Sequence, residues 1–552
     1  MNGQLVVGRK GWAGMKSSAP FQHPPVVLLD GTTTLPRAML GNKGYGINAM
    51  RREGLPVPPA FCITTEVCAQ YFQDPDATTE SLSGEVRDKL RWLEAETSRT
   101  FGAGPRPLLV SVRSGAALSM PGMLDTVLDL GIDEAVKSAL AELHSPEFAS
   151  DTLERFRHMY RRIVLGDAHG EVPDDPFAQL RGAIGAVFSS WNSARAMAYR
   201  KHHGLSDIGG TAVVVQAMVF GNMGSESGTG VLFSRNPMTG ADEPFGEWLP
   251  GGQGEDVVSG TFDVEPASAL RDEQPAVYGE LMTAATALER IANDVQDIEF
   301  TVEQGKLWLL QTRVAKRSAQ AAARLALALR DEGLIDDFEV LRRIDPGQIE
   351  TLLQPSLQPE TRLSAPLLAK GLPACPGVAS GRAYVDVDEA IDAAEEGQDV
   401  ILVRSSTSPD DIQGMMAVCG IVTDVGGATS HAAVVSRELH RPSVVGCGTG
   451  IAAALAGKQI TVDGTNGEVR EGILELKAWS EDDTPDLAEL GRIARQRSPL
   501  CAHATGDHPA LNDNTDAGVR AALDAGLTDV VSPHPLITML IAARLQDNVN
   551  QD

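Results

Sequence analysis

Residues 422–448 read VTDVGGATSHAAVVSRELHRPSVVGCG. The β-like run at the start ends in Gly426 and Gly427, and Ala432, Val435 and Leu439 then recur at helical spacing. Strand, glycine elbow and helix make one of several βα alternations between residues 367 and 480, which is an α/β layer. His431 falls on the first turn of the helix, raised on the elbow. The helix dipole there disfavours imidazolium and favours a neutral, nucleophilic ring. A phosphoryl dianion formed on that ring would meet free backbone N–H groups and the positive helix end. Thr429 and Ser430 can donate to its oxygens. A zinc site is disfavoured, because the next histidine, His440, lies nine residues on. Of the eleven histidines, only His431 stands on a Gly-Gly elbow before a helix.

A second informative stretch is DIEFTVEQGKLWLLQTR, residues 297–313. It predicts two antiparallel strands joined at EQGK. Period two puts Asp297 and Glu299 on one face, with Ile298 and Phe300 on the other, and gives Gln311 and Arg313 a common face. Two carboxylates, an amide and a guanidinium are thereby clustered. Oxygen ligands suit Mg²⁺, which keeps part of its coordination for substrate phosphates, and Arg313 suits a phosphate chain.

Gly-rich segments supply further anion candidates. Lys43 in Gly41-Asn42-Lys43-Gly44 opens an amphipathic helix carrying Ile47 and Met50, although no GxxxxGK[ST] loop occurs. Residues 108–112 read as a buried strand with Arg113 next to its end, where a cation calls for an anion. Ser114, Gly115, Ser119 and Gly122 allow close backbone approach. Gly/Ser-dense stretches at 227–240 and 251–260 suit a nucleotide, and Gln216 ends the apolar run TAVVVQA, where it can face an adenine edge or cap its strand.

The 552 residues suffice for roughly three to four domains. Lys+Arg 47 against Asp+Glu 74 gives a net charge of −27, which disfavours nucleic acid and anionic membrane as partners. Six scattered cysteines form no CxxC pair, so neither a zinc motif nor a disulfide framework is expected. No apolar run approaches the roughly 18 residues of a membrane span, and MNGQLVVGRKGW lacks the apolar core of a secretory signal. A reducing cytoplasm is the expected compartment. Residues 1–40 read as an irregular lead-in, 316–334 as a helix, and Pro346, Pro355, Pro359 and Pro366 as extended chain after it. The expected units are 1–315, a linker at 316–366, a compact unit at 367–480, and a short tail at 481–552.

Six motifs in order, GNKG, SVRSGAALSMPGMLDTVLDLG, SGTGVLFSRNPMTG, GQGEDVVSG, the hairpin and GGATSHAAVVSR, resemble the pyruvate, phosphate dikinase branch of the phosphoenolpyruvate-utilising enzymes. The related synthases typically carry Thr-Cys-His where this chain has Thr429-Ser430-His431. Rifamycin phosphotransferases place a large domain between the end modules, for which the interval 313–371 is too short. The resemblance implies an α/β and α+β multidomain chain. An ATP-grasp nucleotide-binding domain with an inserted helical subdomain would occupy 1–315. A swivelling β/α phosphohistidine domain would occupy 367–480. Lys43, Arg113, Glu299, Gln311 and Arg313 would bind ATP phosphates and Mg²⁺, with Glu299 and Gln311 on the metal, Gln216 beside adenine and Glu255 near the phosphates. His431 would accept the β-phosphoryl group, giving AMP and pyrophosphate from ATP and phosphate. Thr429 matches a regulatory phosphorylation position. The family's pyruvate-binding (β/α)₈ barrel needs about 250 residues, and the tail of about seventy reads as a remnant of its first unit. A separate barrel chain is therefore an expected partner, alongside a homodimer. The alternatives are a phosphotransferase with another acceptor and a nucleotide-sensing protein without turnover.

Overall fold

The computed structural model describes residues 21–550 apart from 118–119, 121, 203–204, 206–208, 260–261, 263, 354–355, 358 and 478–483, so Ser119 and the first half of the lead-in lie outside the described residues. Three large sheets organise it. The first is antiparallel, with strands ordered Val26–Leu28, Ala60–Ile63, Thr211–Ala217, Val110–Ala116 and Thr126–Leu130. Helices Pro75–Thr97, Pro146–Tyr160 and Pro176–Ser190 pack on it, joining Leu90, Phe156 and Val187 to Val112 and Val215 in one core. Each begins with a proline behind a capping side chain, Asp74, Ser145 or Asp175, that accepts from a first-turn N–H.

The second sheet is also antiparallel: Glu265–Pro266, Phe245–Pro250, Gly228–Phe233, Gln296–Glu303 and Lys306–Val314. Its last two strands are the expected hairpin. The turn is tighter than EQGK suggested: Gln304 and Gly305 alone form it, with φ of 50° and 74°, the geometry that matches strand twist. Helix Arg37–Arg52 is wedged between the two sheets, sharing Ile47 and Met50 with Val214 of one and Ile298 and Leu309 of the other. It kinks at Gly41 (φ 66°), where a Cβ would collide with the Gly115 carbonyl. Lys43 thus stands at the start of a fresh helical segment.

The third sheet has eight strands. Its centre, Val378–Tyr384, Val400–Arg404, Gly420–Thr423 and Ser443–Val445, is parallel, and its flanks are antiparallel. Helix His431–Glu438 follows the third of these central strands. This unit packs on the first through Met123, Trp191 and Tyr199 against Leu402, Ile421 and Val435.

Residues expected to form a linker and a tail share a core. Ala323, Leu327 and Leu341 pack with Leu490, Val519 and Leu540. The apolar stripe of helix Ala319–Asp331 therefore faces partners more than 150 residues away, and local spacing does not reveal them. Strands Ser356–Leu357 and Leu476–Lys477 pair beside this core. Among the described residues, no helix is long and apolar enough to cross a membrane.

Candidate functional site

The cleft lies between the first two sheets and is closed on one side by the third unit. Two connected lobes of about 850 and 870 Å³ share Lys43, Glu255 and Glu299, each large enough for a small-molecule ligand. Arg113 does not end its strand as expected. The strand runs on to Ala116, leaving Arg113 mid-strand with its side chain crossing to the hairpin. Its Nη2 donates to Glu299 Oε2 (2.9 Å) and Gln311 Oε1 (3.3 Å), and its Nη1 donates to Gln216 Oε1 (3.3 Å). The hairpin register sets Glu299 opposite Gln311 and Asp297 opposite Arg313. Gln311 Nε2 donates to Glu299 Oε1 (3.0 Å), and Arg313 Nε donates to Asp297 Oδ2 (2.7 Å). The other oxygen of Asp297 is buried without a partner.

Charge crowding marks this floor. Burial, with Arg113 and Arg313 beside it, pulls the Lys43 ammonium down to about 7 against the attraction of Glu299. Burial works to raise Glu299, but Arg113, Arg313 and Lys43 together hold its carboxyl below the usual range. Gln216 lines the second lobe, yet its carboxamide is engaged by protein, since its Nε2 donates to the Pro58 carbonyl (3.2 Å). That leaves the neighbouring wall of Ala217, Met218 and Val219 facing the lobe. Glu255 lines both lobes and pairs with Arg155 (3.3 Å), which also holds Asp256 (2.9 Å).

His431 closes the first lobe. Gly426 (φ 118°) makes the elbow, and Ser430 Oγ caps the helix by accepting from Ala433 N (3.4 Å). Thr407 Oγ1 lies 3.2 Å from His431 Nδ1, and Nε2 is buried without a partner. Burial lowers the imidazole to about 4, so the ring is neutral. Of the donors expected from the loop, Thr429 is engaged elsewhere. Ser430 is the cap, and Thr429 donates through both its N–H (3.2 Å) and its hydroxyl to Glu247 Oε2. Glu247 comes from the second sheet and is 6% exposed, and Thr429 is 2% exposed. A Cβ on Gly427 would collide with the same carboxylate. Burial raises Glu247, opposed by these hydrogen bonds. A further cross-unit cluster joins Glu438 to Tyr199 and to Lys316 Nζ (3.0 Å).

Residues that sequence reasoning missed include Thr407, Glu247, Arg155 and Arg162, the last lining both lobes. Only the cationic run around Arg161-Arg162 carried a sequence signal. Glu247 and Thr407 meet the histidine loop through tertiary contacts alone.

Two family models match this chain. Residues 76–277 match the pyruvate phosphate dikinase AMP/ATP-binding domain, and residues 396–467 match the mobile domain of PEP-utilising enzymes. The chain belongs to the phosphoenolpyruvate-utilising enzymes. Within them it is similar to proteins named pyruvate, phosphate dikinase. One from Rhizobium meliloti (strain 1021) is 43% identical over 542 residues, 86% of this chain and 60% of that protein. One from Clostridium symbiosum is 40% identical over 501 residues, 80% of this chain and 57% of that protein. Pyruvate, phosphate dikinase 2 of Zea mays is 40% identical over 479 residues, covering 79% and 54%. The matches thus span little more than half the length of these relatives.

Proposed function

We propose that this chain carries out the nucleotide half of a pyruvate, phosphate dikinase reaction, with His431 as the phosphoryl carrier. The observation that carries the reading is one cavity walled both by an unpartnered, neutral histidine nitrogen and by Lys43, Glu299 and Arg313. In this reading the first two sheets are an ATP-grasp nucleotide-binding domain, and residues 367–480 are a swivelling phosphohistidine domain. Adenine would lie in the second lobe along Ala217–Val219 of the 217–219 wall, and the phosphates over Lys43, Arg113 and Arg313.

Nδ1–H of His431 would donate to Thr407, which fixes the tautomer and leaves the Nε2 lone pair facing the lobe. That lone pair attacks the β-phosphorus while AMP leaves with the electrons of the broken P–O bond. The γ-phosphoryl group then passes to inorganic phosphate, giving pyrophosphate and a phosphohistidine. Arg113 and Arg313 are held in place before the substrate arrives and meet charge as it develops.

Mg²⁺ fits the residues present. Glu299 and the Gln311 carbonyl supply adjacent oxygen donors, and Asp297 holds a buried oxygen without a partner nearby. Glu299 and Gln311 would hold the ion, which would neutralise phosphate charge when bound. Both now face Arg113 and each other, so those hydrogen bonds would be exchanged on binding.

The acceptor step, to pyruvate, we assign to a pyruvate-binding barrel beyond the domains described above. The test is ATP labelled on its β-phosphate, incubated with inorganic phosphate. Acid-labile label on His431 together with AMP and pyrophosphate is the expected result. Bound, unconsumed ATP with no label would replace this reading by that of a nucleotide sensor.

A further inference from the structure

The C-terminal strand–helix–strand unit, built on Cys501–His503, Asp516–Asp524 and Asp529–Val531, gathers side chains that the reaction above does not use. Cys501 and His503 share one face of their strand, and Asp529 stands directly opposite Cys501 on the parallel neighbour. One donor atom from each of the three lies within 4.8 Å of the others. His503 Nε2 is 3.0 Å from Asp529 Oδ1. The loop after the first strand turns back through Gly506 (φ 145°) and lays the His508 ring parallel to that of His503, with centroids 4.6 Å apart. A thiol, an imidazole and a carboxylate therefore converge from two strands, and the loop sets a second imidazole against the first. Among the described residues, no other place brings three such side chains so close.

We infer that Cys501, His503, Asp529 and His508 form a binding site for one divalent cation of the zinc type. The donor set selects the ion. Sulfur and imidazole suit borderline-soft cations that accept four ligands tetrahedrally, whereas Mg²⁺ takes oxygen alone. Bond lengths of about 2.0–2.3 Å place donors of a tetrahedral site roughly 3.3–3.8 Å apart. The three donor atoms already lie within 4.8 Å of one another, so binding needs only rotamer adjustments while the strands stay paired. All four positions come from protein, which makes the site structural: it ties the strand 501–503 to its neighbour and to the loop that follows. The reaction cleft has no cysteine in either lobe, so a metal–sulfur signal separates this site from any ion bound with ATP.

The test uses the full chain and Co²⁺ as a spectroscopic probe, with Zn²⁺ as competitor. The expected result is one equivalent bound with a thiolate-to-cobalt charge-transfer band, displaced by Zn²⁺. Cys501→Ser should abolish the band although five other cysteines remain. His508→Ala, on an exposed loop that tolerates change, should weaken Co²⁺ binding by at least about tenfold, since even the loss of an outer-shell partner commonly costs that much. Circular dichroism of both metal-free variants checks that they fold. No band in the parent chain, a band that survives Cys501→Ser, or unchanged affinity in folded His508→Ala would each overturn the assignment.

Discussion

On the hairpin side of the cleft, charged arms are matched within the protein: Arg113 with Glu299, Arg313 with Asp297, and Glu255 with Arg155. On the histidine side, Thr429 is engaged away from the cavity, and Nε2 of His431, which lines it, is left without a partner. On the function proposed above, the difference is one of chemical task. A phosphate chain can exchange partner for partner on a floor of paired ions, so geometry is kept before and after binding and no arm is stranded. A nucleophile gains from the opposite arrangement, since a hydrogen bond to its lone pair would have to be broken before attack.

This contrast can be broken most sharply at the proposed nucleophile. His431→Asn should abolish transfer of β-phosphoryl label while ATP affinity stays within a few-fold. AMP formation at the parental rate would dismiss His431 as carrier. On the floor, Glu299→Ala and Arg313→Ala should each lower the labelling rate by about 10²–10³, the range for preorganised charges at a reacting centre. Rates within a few-fold of parental for both would place the hairpin away from the chemistry.

Between the two regions stands Glu247. Replacing it with alanine removes hydrogen bonds from Thr429 to a buried carboxylate, interactions worth about 1.5–3 kcal/mol when charged. Labelling should slow by roughly 10–100-fold with the KM for ATP little changed, because the lost contact holds the histidine loop and not the nucleotide. A rise in KM alone would reverse that division.

pH sharpens the comparison further. The Lys43 ammonium sits at about 7 in the free protein, and phosphates would raise it. The complex then binds more protons than the free protein above pH 7. ATP affinity should accordingly be level below that value and fall by up to about tenfold per pH unit above it, until the pKa of the complex is reached. Lys43→Gln should flatten the profile, as measured by calorimetry. His431 behaves differently: at about 4 its ring is neutral across the ordinary imidazole range, so its titration should leave no step in labelling between pH 6 and 7. The smallest expected effect is at Thr407. Thr407→Val loses one neutral hydrogen bond of about 0.5–1.5 kcal/mol, or roughly 2–10-fold in rate, through the tautomer it fixes.

The elements legible in the sequence were those whose signal is local. Alternation at Asp297 to Phe300 and the turn at Gln304-Gly305 announce the hairpin, and two glycines before a helical spacing announce the elbow of His431. What escaped was set by distant partners. Glu247 lies 182 residues from Thr429, and Thr407 lies 24 from His431, so neither contact has a spacing to read. In sequence, Ser114 and Gly115 read as loop residues and so put Arg113 at a strand end. They extend the strand because Val213 and Ala212 pair with them across the sheet. Gln216 looked free to meet a base, but Arg113 and Pro58 occupy its carboxamide.

The small ribbon of Ser356–Leu357 against Leu476–Lys477 has a topological meaning. The chain leaves the helical core, builds the eight-stranded sheet with its histidine, and returns alongside its point of departure. The module is thus spliced into a host that continues on both sides of it. A body slung from two neighbouring cords can twist about them, but its centre cannot wander far. In the swivelling motion proposed above, His431 would travel on an arc whose pivot is the ribbon.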